Sequence, residues 1–230
     1  MKEILCNSTF FGVLISIAAY ELGLFLKKKF KLAIFNPLLI SIAVVILLLL
    51  ILKVDYKSYN EGAKFLSYLL TPATVCLAIP LYEQLELLKN NVKAIMAGII
   101  SGVLTSMSCI LAFSILFHFN HKEYVTLLPK SITTAIGMGV SEELGGVVTI
   151  TVAVIIITGV LGNIIAETVC RIFGIKDPIA KGIAIGSASH AIGTVKAMEM
   201  GEIEGAMSSL SIAVAGLLTV IGASFFSRFI

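Results

Sequence analysis

The sequence predicts an all-α integral membrane protein with about seven to eight transmembrane segments. Of its 230 residues, 58% are hydrophobic and only 13% are charged, whereas soluble domains carry roughly 25% charged residues. The mean hydropathy of +1.02 agrees with this class. Because no polar stretch is long enough to fold outside a bilayer, residues 1–230 are predicted to form a single membrane domain.

The apolar stretches give the individual helices. A spanning helix needs about 20 mostly apolar residues. Seven stretches meet this requirement: 4–26, 32–52, 62–81, 92–117, 146–173, 181–198 and 206–229. An eighth stretch, 124–140, is short and contains Pro129 and Lys130. It is therefore predicted either to cross fully or to be only a partial crossing.

The basic residues predict the orientation, because loops rich in Lys and Arg usually face the cytoplasm. The densest basic cluster, residues 27–31, places the N-terminus outside. If 124–140 dips into the membrane and returns, the basic loop 171–181 and Arg228 face the cytoplasm. If it crosses, the loop 171–181 faces outward. We therefore favour seven crossings and one re-entrant or broken segment, with loop 199–204 outside.

Two segments that would cross in opposite directions have related surroundings, PATVCLAIPLYEQ from Pro72 and AIGTVKAMEMGE from Ala191. This pair predicts inverted repeats with interrupted helices, covering residues 1–118 and 124–230. Such repeats are the usual architecture of secondary transporters. The identity is slight, and matches of this size also arise by chance in apolar sequence.

The first interruption is predicted in 62–81. Pro72 lacks a backbone N–H and clashes with the preceding turn, so the helix should kink or break there. A break would expose polar backbone beside two hydroxyls. The segment is either a structural kink or part of a substrate-binding site, whose candidate residues are Thr71, Pro72, Ala73 and Thr74.

The second interruption is predicted in residues 186–199, GSASHAIGTVKAME. Its small residues form a stripe at helical spacing, which indicates either a packing seam or an unwound stretch, because glycine weakens a helix. Ionisable residues at membrane depth are costly and usually functional, which singles out His190. The candidate substrate-binding residues are Ser189, His190, Gly193 and Thr194.

The third polar segment is LPKSITTAIGMGVSEELGG, residues 128–146. A lysine followed by hydroxyls at the mouth of a short membrane segment suits a carboxylate or a phosphate. An interfacial loop with a lysine that reaches the membrane surface is the alternative. The candidate residues are Lys130, Ser131, Thr133 and Thr134.

Signatures of enzymes are missing from the sequence. It contains no HExxH, no histidine-and-acid cluster with metal spacing, no GxSxG elbow and no P-loop. We therefore predict no enzyme activity, no cofactor and no metal. The net charge of +3 is too small to indicate a nucleic-acid partner.

The longest motif, GIAIGSASHAIGTVKAMEMGEIEGAMSSLSIAVAGLLT (182–219), strongly resembles the signature of the LrgB/CidB family of bacterial membrane proteins. TPATVCLAIPLYEQ, NPLLISI and the 128–146 segment resemble the family's other landmarks, and together they cover nearly the whole chain. Two positions depart from the family pattern. Thr71 stands where members usually have Gly, and Ala135 stands where they often have Pro.

The resemblance implies a multi-pass protein of the bacterial cytoplasmic membrane. The family is described as antiholin-like, and it acts with a small LrgA/CidA-type partner to modulate murein hydrolase activity, autolysis and programmed cell death. Relatives include transporters of small monocarboxylates such as pyruvate, and the plastidal glycolate/glycerate translocator.

Two hypotheses follow from the residues and the resemblance. In the first, the interruptions at Pro72 and 189–193 meet near the midplane and bind a small carboxylate, with Lys130 assisting and His190 coupling a proton. In the second, the chain regulates autolysis with an LrgA/CidA-type partner and has no substrate. Both place it in a lipid bilayer, and homo-oligomers stay an open option.

Overall fold

The structure, a computed structural model, describes residues 10–30, 35–76 and 78–230. These residues form eleven α-helices, a final 3-10 turn and no strand, which confirms the all-α fold. The helices are α1 (Phe11–Phe30), α2 (Pro37–Leu52), α3 (Tyr56–Ser67), α4 (Leu70–Cys76), α5 (Ala78–Glu83), α6 (Leu85–Leu116), α7 (His121–Leu127), α8 (Thr134–Glu143), α9 (Val148–Ile172), α10 (Pro178–Met200) and α11 (Glu202–Phe226), followed by Ser227–Phe229.

Among the described residues, four helical stretches are long and apolar enough to cross a membrane. They are Tyr56–Glu83, Leu85–Leu116, Val148–Ile172 and Glu202–Phe229, and the shorter helix Pro37–Leu52 is also apolar. Large apolar side chains point outward from these helices, as Leu116, Ile157 and Leu217 do. Outward apolar surface of this extent fits lipid rather than water. The chain is an all-α membrane protein, as predicted.

Contacts divide the chain into two compact units, Met1–Cys76 and Leu77–Ile230. In the first unit, α1 packs against α2 and α3. Gly12 and Gly23 permit the close approach, since a methyl group at Gly23 would lie 2.7 Å from Pro37 Cα. Ser16 Oγ and Tyr59 OH share a hydrogen bond of 2.8 Å across the α1–α3 contact.

The predicted interruption near Pro72 is present in this unit. Helix α3 ends at Ser67 and α4 begins at Leu70. The Leu69 N–H donates to the Leu66 carbonyl oxygen at 3.1 Å, which is a tighter turn than the α-helical pattern. Proline at position 72 cannot donate to the carbonyl of Tyr68, four residues earlier. The break therefore falls one turn before the proline.

The second unit is built around the long helices α6, α9 and α11. Its core includes Ile99 and Met107 of α6 and Met207 and Ala215 of α11. Met107 packs closely against α11, because a methyl group at Gly222 would lie 2.9 Å from the Met107 sulfur atom.

Helices α7 and α8 form the first hairpin, residues 121–143. Thr126 of α7 and Ser141 of α8 lie fifteen positions apart, yet both contact the Thr151 Oγ1 atom, at 2.9 Å and 2.7 Å. Near the turn, a methyl group at Gly137 would lie 3.5 Å from the Pro129 carbonyl oxygen. The two helices are therefore antiparallel. With seven and ten residues, they extend about 10 and 15 Å, less than the roughly 30 Å of a bilayer core.

Helix α10 forms the second hairpin, residues 178–200, because the backbone reverses at His190, where φ is 43° and ψ is −145°. Ile185 and Ala197 belong to one core cluster, although a straight helix would separate them by about 18 Å. Both arms contact the beginning of α11: Lys181 pairs with Glu204 at 3.7 Å, and Met198 lies beside Gly205. The chain returns to the end at which it entered.

The second hairpin corrects the prediction that 181–198 crosses the membrane. Each arm of the hairpin has about half the length of a spanning helix, and residues 178–200 are not among the helices that are long and apolar enough to cross a membrane. The predicted interruption within 186–199 is confirmed, but it is a full reversal rather than an unwound stretch of a spanning helix.

The two hairpins enter from opposite ends of the second unit. At one end, Tyr124 OH of the first hairpin donates to the Phe226 carbonyl oxygen of α11 at 3.0 Å. At the other, Lys196 of the second hairpin pairs with Glu167 near the end of α9 at 3.1 Å. Thus α6 with the first hairpin, and α9 with the second, form two helix–hairpin pairs that run in opposite directions.

This arrangement also corrects two predicted loop positions. Arg228 follows α11 and lies at the end of the first hairpin, away from the basic loop 171–181, so the prediction that both face the same side is wrong. Loop 199–204 lies at the end with 171–181, not opposite to it. Both errors have one cause, since the returning hairpin reverses the direction in which α11 crosses.

Candidate site between the hairpin tips

A cavity of about 830 Å³ lies within the second unit, between α6, α9 and the arm 178–189. Both hairpin tips contribute to its lining. The first provides Lys130 and Ser131, and the second provides Ser189. The structure thus brings three of the predicted site residues together from segments nearly 60 positions apart in sequence.

Lys130 lies in the turn between α7 and α8 and forms a polar cluster at the first tip. Its Nζ atom donates to Ser131 Oγ at 2.9 Å and to Ser106 Oγ of α6 at 3.4 Å. The two serine hydroxyls are 3.0 Å apart. The cluster offers one ammonium group and two hydroxyl groups to the cavity, which are donors suited to a carboxylate.

Two glycines of α9 allow the second tip to lie directly on that helix. A methyl group at Gly159 would lie 2.7 Å from the Cε1 atom of His190. At Gly162 it would overlap Ser189 Oγ. Gly159 and Gly162 therefore leave the space in which the second tip packs against α9. A residue with a Cβ atom at either position would fill that space.

His190 is buried at this reversal, with 2% of its surface exposed. Its Nε2 atom is 3.0 Å from the Ile155 carbonyl oxygen, and because a carbonyl only accepts, Nε2 carries the proton. The positive φ is unfavourable for a residue with a side chain. The imidazole is thus held in place at a position where the backbone favours glycine.

Side chains of the returning arm and of neighbouring helices satisfy the polar groups around the reversal. Thr194 Oγ1 donates to the His190 carbonyl oxygen at 3.0 Å and pairs with Ser208 Oγ of α11 at 2.7 Å. Asn163 of α9 donates to the Ile192 carbonyl oxygen at 2.7 Å. Irregular backbone at membrane depth is tolerated when protein groups satisfy it in this way.

The remaining predicted residues of the second unit lie around the cavity rather than on it. Thr133 and Thr134 are half-buried at the start of α8. Gly193 packs between the two arms, where a methyl group would lie 3.2 Å from the Ile185 Cγ2 atom. The stripe of small residues is therefore a packing seam that also closes the hairpin on itself.

The candidates Thr71, Pro72, Ala73 and Thr74 belong to α4 of the first unit. Thr71, Pro72 and Ala73 are exposed. Their part in a binding site stays a prediction.

Sequence reasoning missed the contribution of α6. Ala94, Gly98, Gly102 and Ser106 recur at intervals of four and all line the cavity. Small residues at this spacing mark a helix face that another element approaches closely. Gly102 illustrates this, because a methyl group there would lie 2.8 Å from the Ser187 Oγ atom. This spacing of small residues is visible in the sequence, but the three predicted site segments do not include this part of α6.

A second, charged pocket of about 490 Å³ lies where the second hairpin begins and ends. Lys196 pairs with Glu167 at 3.1 Å and with Glu199 at 3.6 Å, and Lys181 pairs with Glu204 at 3.7 Å. These ion pairs connect both arms to α9 and α11. Within the described ranges, no group of three or more His, Cys, Asp or Glu residues could hold a metal ion.

The all-helical fold and its long apolar helices define a multi-pass membrane protein. Residues 16–229 match the LrgB-like family, and the chain belongs to that family. It is similar to antiholin-like protein LrgB of Bacillus subtilis (strain 168), with 36% identity over 215 residues and 93% of each chain covered. It is also similar to holin-like protein CidB of Staphylococcus aureus (strain N315), with 37% identity over 209 residues and 91% of each covered. No solved structure matches the chain.

Proposed function

We propose that this chain is a secondary transporter of small monocarboxylates of the pyruvate or glycolate type in the bacterial cytoplasmic membrane. The observation that carries the proposal is the meeting of two half-length hairpins, from opposite ends, at one cavity to which their tips contribute Lys130, Ser131 and Ser189. Interrupted elements that meet near the midplane from oppositely oriented repeats are the usual site of substrate binding in secondary transporters.

In this proposal the carboxylate is bound at the first tip. The Lys130 ammonium group provides the opposite charge, and the hydroxyls of Ser106 and Ser131 donate hydrogen bonds to the carboxylate oxygens. The returning arm of each hairpin starts at its tip, so the positive end of its helix dipole lies at the same depth.

His190 is proposed to couple a proton to substrate movement. Its Nε2–H is used by Ile155, which leaves Nδ1 as the atom that gains or loses the proton. Histidine changes charge in the physiological pH range more readily than any other side chain. Movement of the second tip away from the α9 glycines would open the cavity towards the other side of the membrane.

Uptake of labelled pyruvate and glycolate into proteoliposomes tests this function. We expect saturable uptake driven by a pH gradient, and its loss in Lys130→Gln and His190→Ala. Lys122→Gln is the matched control, because Lys122 is exposed at the start of α7 and should leave uptake unchanged. Absence of uptake with gradients of either sign contradicts the proposal.

A second function is supported by the names of the relatives, which are antiholin-like and holin-like proteins. In this alternative the chain acts with an LrgA/CidA-type membrane protein to control murein hydrolase activity, without its own substrate. Autolysis of cells that carry Lys130→Gln distinguishes the two. If the variant regulates autolysis normally but does not transport, regulation does not require a substrate.

A further inference from the structure

The charged pocket at the beginning and end of the second hairpin has more basic than acidic side chains. It has a volume of about 490 Å³ and lies apart from the cavity between the hairpin tips. The charged residues that line it are the basic Arg171, Lys176, Lys181 and Lys196 and the acidic Glu167, Glu199 and Glu204. The pocket therefore carries a net positive charge.

Each of the three carboxylates already has a lysine partner. Lys196 pairs with Glu167 at 3.1 Å and with Glu199 at 3.6 Å. Lys181 pairs with Glu204 at 3.7 Å. Because a cationic ligand would have to compete with these lysines, the pocket favours an anion.

Two basic side chains of the pocket, Arg171 and Lys176, are left for such an anion. Arg171 lies 3.4 Å from Glu167, but both side chains are exposed and Lys196 is closer to that carboxyl group. An exposed pair of this kind contributes little to stability. Within the described part of the chain, Lys176 forms no ion pair.

The turn after α9 places both basic residues on one pocket. Gly174 has a φ of 64°, which suits a glycine just after the end of a helix. The Ile175 N–H then donates to the Cys170 carbonyl oxygen at 2.8 Å. The chain thus folds back on the end of α9, and Lys176 lines the same pocket as Arg171.

Apolar side chains are exposed at the same end of α9. Ile172 and Phe173, which follow Arg171 directly, are 73% and 75% exposed. Since α9 is long and apolar enough to cross a membrane, its last residues lie at the boundary between hydrocarbon and headgroups. At that depth apolar side chains contact acyl chains, and basic side chains contact lipid phosphates.

We infer that the charged pocket binds the phosphate group of an anionic phospholipid, held by Arg171 and Lys176. The Arg171 guanidinium can donate two parallel hydrogen bonds to phosphate oxygens, and Lys176 adds a second positive charge. A lipid bound there also lies beside Lys181 and Lys196, one from each arm of the second hairpin. It therefore stabilises the folded hairpin, and this role does not depend on the proposed transport.

Thermal unfolding of the purified full chain in a nonionic detergent tests the site, because a ligand of the folded protein raises the unfolding temperature. Phosphatidylglycerol should raise it, whereas phosphatidylcholine, which has no net charge, should have little effect at the same mole fraction. Glycerol phosphate carries the charge without acyl chains. At equal concentration it should stabilise the protein less than phosphatidylglycerol does.

Variants of the two basic residues identify the site. Lys176→Gln should weaken the response to phosphatidylglycerol about fivefold, which is the contribution of one basic residue near anionic lipid. Arg171→Gln combined with Lys176→Gln should weaken it about 25-fold. Both side chains are exposed, so the variants should be as stable as the unmodified chain without lipid. Lys122→Gln is the matched control, because Lys122 is exposed at the opposite end of the second unit.

The outcomes decide between a specific site and general surface charge. Equal stabilisation by the two lipids, or an undiminished response of the double variant, overturns the inference. So does an equal loss in Lys122→Gln and Lys176→Gln. Glycerol phosphate as effective as phosphatidylglycerol overturns the assignment to a lipid. A preference for phosphatidylglycerol that requires Arg171 and Lys176 supports the inference whether or not proteoliposomes show uptake.

Discussion

Gly162 and Ser189 are in direct contact, and a methyl group on the glycine would occupy the position of the serine hydroxyl. This contact holds the tip of the second hairpin against α9. It also places the Ser189 side chain on the cavity. The position of the proposed site thus depends on Gly162, because any side chain at this position would displace the tip.

Gly162→Ala should displace the hairpin tip. Overpacking of this kind costs about 1–3 kcal/mol, so we expect a lower unfolding temperature in detergent and reduced substrate binding. Gly139→Ala is the matched control, since nothing lies within 4 Å of a methyl group there. Alanine at that exposed helical position should be neutral or slightly stabilising. Equal stability of the two variants would show that the tip does not rest on α9.

His190→Gly should be more stable than His190→Ala. Both variants lose the hydrogen bond to Ile155, but only glycine adopts the backbone conformation with φ of 43° without strain. The expected difference in free energy of unfolding is about 1–3 kcal/mol. Thermal unfolding of both variants measures it. If the two variants are equally stable, the backbone at position 190 does not require a positive φ, which contradicts the reversal at this residue.

The direction of each hairpin can be tested by labelling single cysteines in a cysteine-free background. Cysteines at Lys176 and Glu202 flank the second hairpin and should react with an impermeant reagent from one side of the membrane. Cysteines at Lys122 and Arg228 should react from the other side. If positions 176 and 202 react from opposite sides of the membrane, residues 178–200 span the membrane and do not form a hairpin.

The ion pair between Lys181 and Glu204 should couple the second hairpin to α11. Its side chains are only 23% and 11% exposed, so a double-mutant cycle of Lys181→Met and Glu204→Gln should give a coupling energy of about 1–2 kcal/mol. The exposed pair of Lys64 and Glu61 is the control and should show no measurable coupling. If the effects of the two substitutions on the free energy of unfolding are additive, Lys181 and Glu204 do not couple the second hairpin to α11.

Part of this fold could be predicted from the sequence because the deciding signals are local. A proline predicted the interruption in 62–81, and the break lies one turn before Pro72. The distribution of basic residues favoured a segment at 124–140 that dips in and returns, and the contacts of Thr126 and Ser141 with Thr151 agree with it.

The second hairpin could not be predicted in the same way, because its deciding contacts are long-range. Ile185 and Ala197 belong to one core cluster with Ala166 of α9, and no local rule brings two positions of one apparent helix together on a neighbouring helix. The same limit applies to the site. Lys130, Ser131 and Ser189 were recognisable as polar residues in apolar surroundings, but Ser106 became a candidate only when α6 was found beside Lys130.

The second hairpin also constrains the order in which the protein is assembled during synthesis. Its arms are too short to span the bilayer, and the chain from 178 to 200 does not have the apolar character of the long helices. The polar groups at its tip are satisfied by Asn163, already synthesised, and by Ser208, which emerges from the ribosome later. We therefore expect the hairpin to reach its final position only after α11 has been inserted, because the partners of its polar groups are complete only then.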